Sequence, residues 1–118
     1  MTKLTLFAMA AAASSLVAAS FDAAAQAPAG DPVAGAQKTQ MCAGCHGIEG
    51  WRTAFPEVYK VPRISGQHQA YLVKAMQAYK SGERSHPSMR AIAASLSDKD
   101  MADLAAYYAQ SGLKTAGK

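Results

Sequence analysis

The clearest apolar repeat in the chain lies in residues 67–80, where Leu72, Ala75, Met76 and Tyr79 fall at i, i+3, i+4 and i+7. That spacing places all four on one face of a helix, and Gly82 supplies a stop just beyond it. A second stripe, Met101, Leu104, Ala105 and Tyr108, follows Ser97 to Asp100, a capping-box variant with Asp in place of Glu or Gln, and stops at Gly112. Between the two, a polar link, Ser85-His86-Pro87-Ser88, precedes a short apolar-periodic piece over residues 89–96. Towards the other end, Asp31-Pro32 predicts a helix start, with Asp as N-cap and Pro where its missing N–H costs nothing. That helix is expected to run to about Met41. Gly35 inside it costs stability relative to Ala unless another backbone comes close, so a helix crossing is expected there. Residues 47–66 keep no such period: Gly47, Gly50, Pro56, Pro62 and Gly66 interrupt them, and Trp51, Phe55 and Tyr59 share no helical spacing. A loop packed over something large and flat is the expectation, and with no convincing strand run the chain reads as all-α.

Residues 1–25 carry one base, Lys3, then a stretch of Ala, Leu, Val and Phe, then Ala23-Ala24-Ala25 as a small-residue cleavage site. This is the pattern of an export signal, so the mature chain is expected to start at Gln26 and to reside in the periplasm. A retained membrane anchor is the alternative, since residues 4–21 are long enough, but Ala and Ser dominate them rather than Leu and Ile. Residues 26–30 form a flexible lead-in, 31–112 a single domain, and 113–118 a loose tail. The apolar content of so small a domain is largely alanine, which buries little area, so a large apolar group at its centre would complete a marginal core. The formal charge of +4 survives removal of the signal, because Lys3 and Asp22 cancel. A basic balance favours partners with acidic docking surfaces. Nucleic acid is not expected, because the Lys and Arg residues are scattered singly without runs.

Candidate chemistry concentrates at Cys42-Ala43-Gly44-Cys45-His46, a C-x-x-C-H run. Its spacing suits covalent attachment of a c-type haem: two thiols add across the porphyrin's vinyl groups, and the next residue's imidazole ligates iron. A thioredoxin-like redox pair would need a βαβ context that is missing here. A zinc site would need His68 and His86 at a finger spacing they do not have. A structural disulfide would close only a two-residue loop. With haem in place, Trp51, Arg52 and Tyr59 are candidate donors to its propionates, whose burial requires hydrogen bonds.

The function then turns on the second axial ligand. A thioether there raises the reduction potential and closes the coordination sphere, which suits electron transfer. Met41 abuts the tether, and Met76 and Met101 sit on helical apolar stripes, whereas Met89 follows a Pro-bearing loop that can aim it. Ligation by His86 or His68 in place of Met89 stays open, as do a haem enzyme or gas sensor with a labile distal site and a haem subunit docked in a dehydrogenase or oxidase complex.

Taken in order, Cys42-Ala43-Gly44-Cys45-His46-Gly47, Pro62-Arg63-Ile64-Ser65-Gly66-Gln67, Tyr71-Leu72, Gly82-Glu83-Arg84, Met89-Arg90-Ala91-Ile92-Ala93, Leu96-Ser97 and Leu104-Ala105-Ala106-Tyr107-Tyr108 resemble a class I cytochrome c. The chain is most similar to the single-haem c553 group and to one half of the dihaem cytochrome c4 proteins. The resemblance implies an all-α fold of four to five short helices wrapped around one covalent haem c, with the first and last helices crossing near Gly35 and residues 104–108. It implies Met89 as distal ligand and the Pro62 carbonyl as acceptor for the His46 Nδ1–H. Together these readings lead to the expectation of a non-enzymatic carrier working between a redox protein donor and acceptor, as a monomer or weak dimer. The segment from Ile48 to Tyr59, with Trp51 and Phe55-Pro56, departs from the polar loop expected of the family.

Overall fold

A computed structural model describes residues 28–54 and 58–111. Its centre is the last helix, α5 (Asp98–Ser111), which buries Met101, Ala102, Asp103, Leu104, Ala105, Ala106 and Tyr108. Four helices precede it: α1 (Pro32–Gln37), α2 (Gln40–His46), α3 (Gln69–Ser81) and α4 (Pro87–Ser95). The described residues hold no strand, only an isolated antiparallel bridge between Arg52 and Lys60. The all-α expectation therefore stands. The export signal, Phe55, Pro56 and the residues from Gly112 onward lie outside the described residues.

The two ends of the domain meet where α1 crosses α5. A Cβ placed on Gly35 would lie 2.1 Å from the Asp103 carbonyl oxygen and 2.9 Å from the Tyr107 Cβ. Gly30 sits as tightly, its Cβ position 2.0 Å from the Ala102 carbonyl oxygen. Backbone thus meets backbone along one edge of α5, which is the crossing expected at Gly35. Asp31 begins α1 as its cap, Oδ1 accepting from the N–H of Val33 at 2.8 Å and of Ala34 at 3.4 Å.

One buried acid holds this crossing, and the sequence pattern did not reveal it. Asp103 lies on the face of α5 that meets α1, away from the Met101, Leu104, Ala105 and Tyr108 stripe, and is only 1 % exposed. Its carboxylate accepts from the Asp31 N–H at 2.8 Å and from Lys38 Nζ at 2.8 Å, and it also pairs with Lys99. Lys38 reaches Asp100 as well, at 2.6 Å. The Asp31 N–H, then Lys38 and Lys99, hold the Asp103 carboxyl far below the usual carboxylate range. Lys38 and the Ser97 cap hold that of Asp100 at about 2.

The same lysine marks a correction to the predicted first helix. It does not continue to Met41: at Lys38 the backbone leaves α-geometry, its N–H bonding the Gly35 carbonyl at 3.0 Å, and the Thr39 hydroxyl bonds the Ala36 carbonyl at 3.0 Å. A hydroxyl that competes for backbone groups and a lysine drawn to two carboxylates end the helix there. The Cys-x-x-Cys-His run consequently forms its own helix, α2.

The remaining elements follow their expected starts and stops to within two residues. α3 begins at Gln69 rather than Gln67 because Gly66, at φ +80°, turns the chain and donates its N–H to the Tyr108 carbonyl at 2.8 Å. It ends on Gly82 in the left-handed conformation. α4 starts at Pro87 rather than Met89 and is bound to the end of α3 by Lys80 Nζ, 2.6 Å from the Leu96 carbonyl. The capping box is formed as expected: Asp100 Oδ2 accepts from the Ser97 N–H at 3.0 Å, and the Asp100 N–H donates to Ser97 Oγ at 3.1 Å. Leu72, Val73, Ala93, Leu96, Met101, Leu104, Ala105 and Tyr108 make the buried core. Cys42, Ile64, Met76, Tyr79, Ile92 and Tyr107 pack against it half-buried.

Candidate functional site

A helix of seven residues buries something when it belongs to a folded domain, yet α2 has no buried residue. Instead its Met41, Cys42, Cys45 and His46 line a cavity of about 430 Å³, with Ile64, Leu72, Met76, Ile92, Leu104 and Tyr108 among the apolar groups that complete the wall. The volume lies in the range of sites that hold a small organic group. Both thiols are free. Burial pushes the Cys42 thiol up, although the Tyr108 hydroxyl hydrogen-bonded to it works the other way. A redox-active C-x-x-C needs the reverse, a thiol pulled down. Among the described residues, no group of three or more His, Cys, Asp or Glu is arranged to hold a metal ion.

The three histidines differ in what their rings can do. His46 Nδ1 lies 2.7 Å from the Pro62 carbonyl oxygen. A carbonyl only accepts, so Nδ1 carries the proton and donates, and Nε2 keeps its lone pair for a metal. His86 is the opposite case. Its Nδ1 lies 3.3 Å from the Met89 backbone nitrogen, and an amide N–H only donates, so Nδ1 accepts and the proton sits on Nε2. A ring in that tautomer offers no lone pair at Nε2. His68 stands exposed at the start of α3 and is not on the cavity wall.

Met89, in the first turn of α4, lines the same cavity as Cys42, Cys45 and His46. Pro62 lines it too, and so does Tyr59. Trp51 and Arg52 do not. Both are exposed, Trp51 at 42 %, and the arm that carries them contributes Thr53 and, across the Arg52–Lys60 bridge, Tyr59, Lys60 and Val61. That pairing is tied by the Thr53 N–H to the Tyr59 carbonyl and by the Val61 N–H to the Trp51 carbonyl, both at 2.9 Å. The cation that the arm brings to the cavity is therefore Lys60 rather than Arg52. Ser85, His86 and Ser88 add polar groups from the loop before α4 and its first turn. Lys60, Ser85 and Ser88 were not singled out from the sequence, because a lone exposed polar residue carries no periodic signal.

Comparison with known proteins decides what kind of cavity this is. The family profile described as cytochrome c matches residues 32–111. The chain belongs to the cytochrome c family. It is 41 % identical over 81 residues to cytochrome c4 of Pseudomonas aeruginosa, covering 69 % of this chain and 38 % of that protein. It is also 41 % identical over 83 residues to cytochrome c-554(548) of Halomonas halodenitrificans, covering 68 % of this chain and 95 % of that one. A third relative, at 40 % identity over 65 residues, is named thiosulfate dehydrogenase electron acceptor in Stutzerimonas stutzeri, with 55 % of this chain and 29 % of that protein covered. The match thus spans about two fifths of the cytochrome c4 relative and nearly all of cytochrome c-554(548).

This chain is a class I c-type cytochrome similar to one half of cytochrome c4, an electron-transport protein with covalent haem c as its cofactor. The residues present fit that group. Paired thiols one helical turn apart and an imidazole with its Nε2 lone pair free occupy one wall, and the rest is mostly apolar.

Proposed function

We propose that the protein is an exported, single-haem electron carrier in which Cys42 and Cys45 form the thioethers and His46 and Met89 are the axial ligands. When bound, the haem iron supplies a one-electron ferric/ferrous couple. Everything else is done by the chain. The Pro62 carbonyl orients His46 and strengthens it as a donor. Leu72, Met76, Ile92 and Leu104 keep the cavity apolar, which sets the potential and limits reorganisation. Tyr59 and Lys60 stand where they can hydrogen-bond propionates, with Trp51 and Arg52 left to the outer surface of the arm.

The observation that carries this reading is that Met89 and the Cys42, Cys45, His46 set line one cavity, while His86 uses its Nδ1 as an acceptor and is thereby in the wrong tautomer to replace Met89. A thioether supplied by Met89 would close the distal position, the opposite of what a gas sensor or haem enzyme needs. Absorption spectra of the purified holoprotein in both oxidation states, with and without CO, test it. The expected result is a sulfur-to-iron band in the ferric protein and no CO uptake by the ferrous one. Met89→Ala should abolish the band, lower the potential and admit CO. Identical spectra for the two proteins would overturn the assignment.

Export to the periplasm is supported by the signal pattern in residues 1–25, with the domain at 31–112 and a tail at 113–118. No helix among the described residues is long and apolar enough to cross a membrane. Acidic docking partners are supported by how charge is distributed along the chain. Among the described residues, Arg52, Lys60, Arg63, Lys74, Lys80, Arg84 and Arg90 lie in the segments around the cavity against Glu49 and Glu83, whereas Asp100 and Asp103 at the α1–α5 crossing are paired with Lys38 and Lys99. A redox enzyme as donor and a second redox protein as acceptor fit such a surface, and a monomer or weak dimer suffices for a shuttle.

A further inference from the structure

The start of α4 carries an unusual cap. The first N–H groups of a helix lack intrahelical partners, and a small side chain such as Ser, Thr, Asp or Asn ordinarily satisfies one of them. Ser85 stands one residue before the cap position and Ser88 two residues after it, yet the cap is an imidazole: His86 Nδ1 accepts from the Met89 N–H at 3.3 Å. The same ring packs against two walls of the cavity. Its centroid lies 4.4 Å from that of Tyr59 on the arm, tilted by 49°, and 6.4 Å from that of Tyr79 on α3, nearly edge-on at 77°. A serine in this place would satisfy the amide but would touch neither ring.

We propose that His86 is a positioning residue for Met89: the ring, wedged between the arm and α3, holds the Met89 amide and so fixes the point from which the thioether enters the cavity. This rests on Met89 being the distal ligand. A Met side chain has three rotatable bonds and little intrinsic direction. Where its sulfur resides is set by the cavity wall and by the backbone that carries it. His86 controls that backbone directly through the Met89 N–H. Pro87 at the first helical position and the Arg90 N–H on the His86 carbonyl at 2.9 Å keep the turn itself in place, so the imidazole is left to set the fine position.

Three variants of the holoprotein separate the cap from the ring. His86→Asn keeps an acceptor for the Met89 N–H and loses the ring, His86→Phe keeps a ring and loses the acceptor, and His86→Ala loses both. The readouts are the sulfur-to-iron band of the ferric protein and its affinity for added imidazole, which competes with Met89 for the iron. His86→Ala should weaken the band and raise imidazole affinity roughly tenfold, the size of one lost cap. His86→Asn should stay within about twofold of the parent, because the cap is kept, and His86→Phe should behave like His86→Ala. If His86→Ala does not fold, the Asn and Phe variants decide by the same comparison. Parent-like band and affinity in His86→Ala, or failure of Asn to restore them, overturns the proposal. A parent without the band, unchanged by Met89→Ala, instead sinks the ligand assignment on which the proposal rests.

Discussion

Replacing Gly35 by Ala tests the packing that positions the haem-binding helix. The added methyl group would fall 2.1 Å from the Asp103 carbonyl oxygen and 2.9 Å from the Tyr107 Cβ. An ordinary contact needs 3.4 Å or more, so α1 and α5 must part by an ångström or more along their crossing. The obstacle is backbone of a helix that is buried on most of its faces, not the end of a flexible side chain, so relief by local adjustment is small. Overpacking of this kind costs about 3 kcal/mol at the upper end of its usual range. The better helix propensity of Ala returns about 1 kcal/mol, which leaves a net loss of about 2 kcal/mol. For a domain of this size each kcal/mol moves the melting temperature by about 4–8 °C, so a fall of about 8–16 °C is expected. The assay is thermal unfolding of the ferric holoprotein followed by far-UV circular dichroism, repeated in urea so that stability and midpoint can be compared. The separation should also strain the short bonds of Asp103 to Asp31 and Lys38, which makes the loss larger rather than smaller. A Gly35→Ala protein as stable as the parent, or more stable, would show that the close approach is not what selects glycine here.

Further outcomes follow from the same contacts. Asp100 and Asp103 both have folded-state pKa values below the ordinary carboxylate range, Asp100 at about 2, so their stabilisation is complete above about pH 4 and is lost as pH falls through the folded values. Acid titration of the unfolding midpoint should therefore slope downward below about pH 4, and Asp103→Asn should be less stable at neutral pH with a shallower slope. Leu104→Ala, in the core and on the cavity wall at once, should cost about 2–5 kcal/mol in urea unfolding. Electron exchange with an acidic redox protein, followed by stopped flow, should slow as ionic strength rises, because the Debye length shrinks from ~10 Å at 0.1 M to ~3 Å at 1 M. Reversal of Lys60 to Glu should weaken that dependence.

Periodic apolar spacing made α3 and α5 legible, and the cap residues Asp31 and Ser97 and the stop at Gly82 placed their neighbours to within two residues. These are local signals, carried by residues within a turn of one another. The haem-binding run was equally legible, because its five residues are consecutive. What escaped depended on contacts far apart in the chain. Asp103 sits 72 residues from the Asp31 N–H it accepts from, and nothing near it announces a buried acid. Lys38 ends α1 where propensity alone carried the helix to Met41, because its partners lie on α5. That Trp51 and Arg52 do not line the cavity has a related cause: an arm paired with itself through Arg52 and Lys60 decides which of its side chains turn inward, and no spacing rule foretells that pairing.

On the proposed ligation, the two histidines on the cavity wall show how little separates a ligand from a support. His46 and His86 carry the same ring, and each commits Nδ1 to a backbone group. One faces a carbonyl and the other an amide, and this alone assigns the proton to opposite nitrogens. His46 is left with a lone pair at Nε2. His86 is left with an N–H there, and to ligate through Nε2 it would have to surrender the Met89 amide and set two donors against each other. The tautomer of each ring is thus dictated by backbone geometry, Pro62 in one case and the first turn of α4 in the other. A chain that needed a second imidazole at the iron would have to rebuild that turn, whereas one that needs a thioether has only to extend Met89 from it.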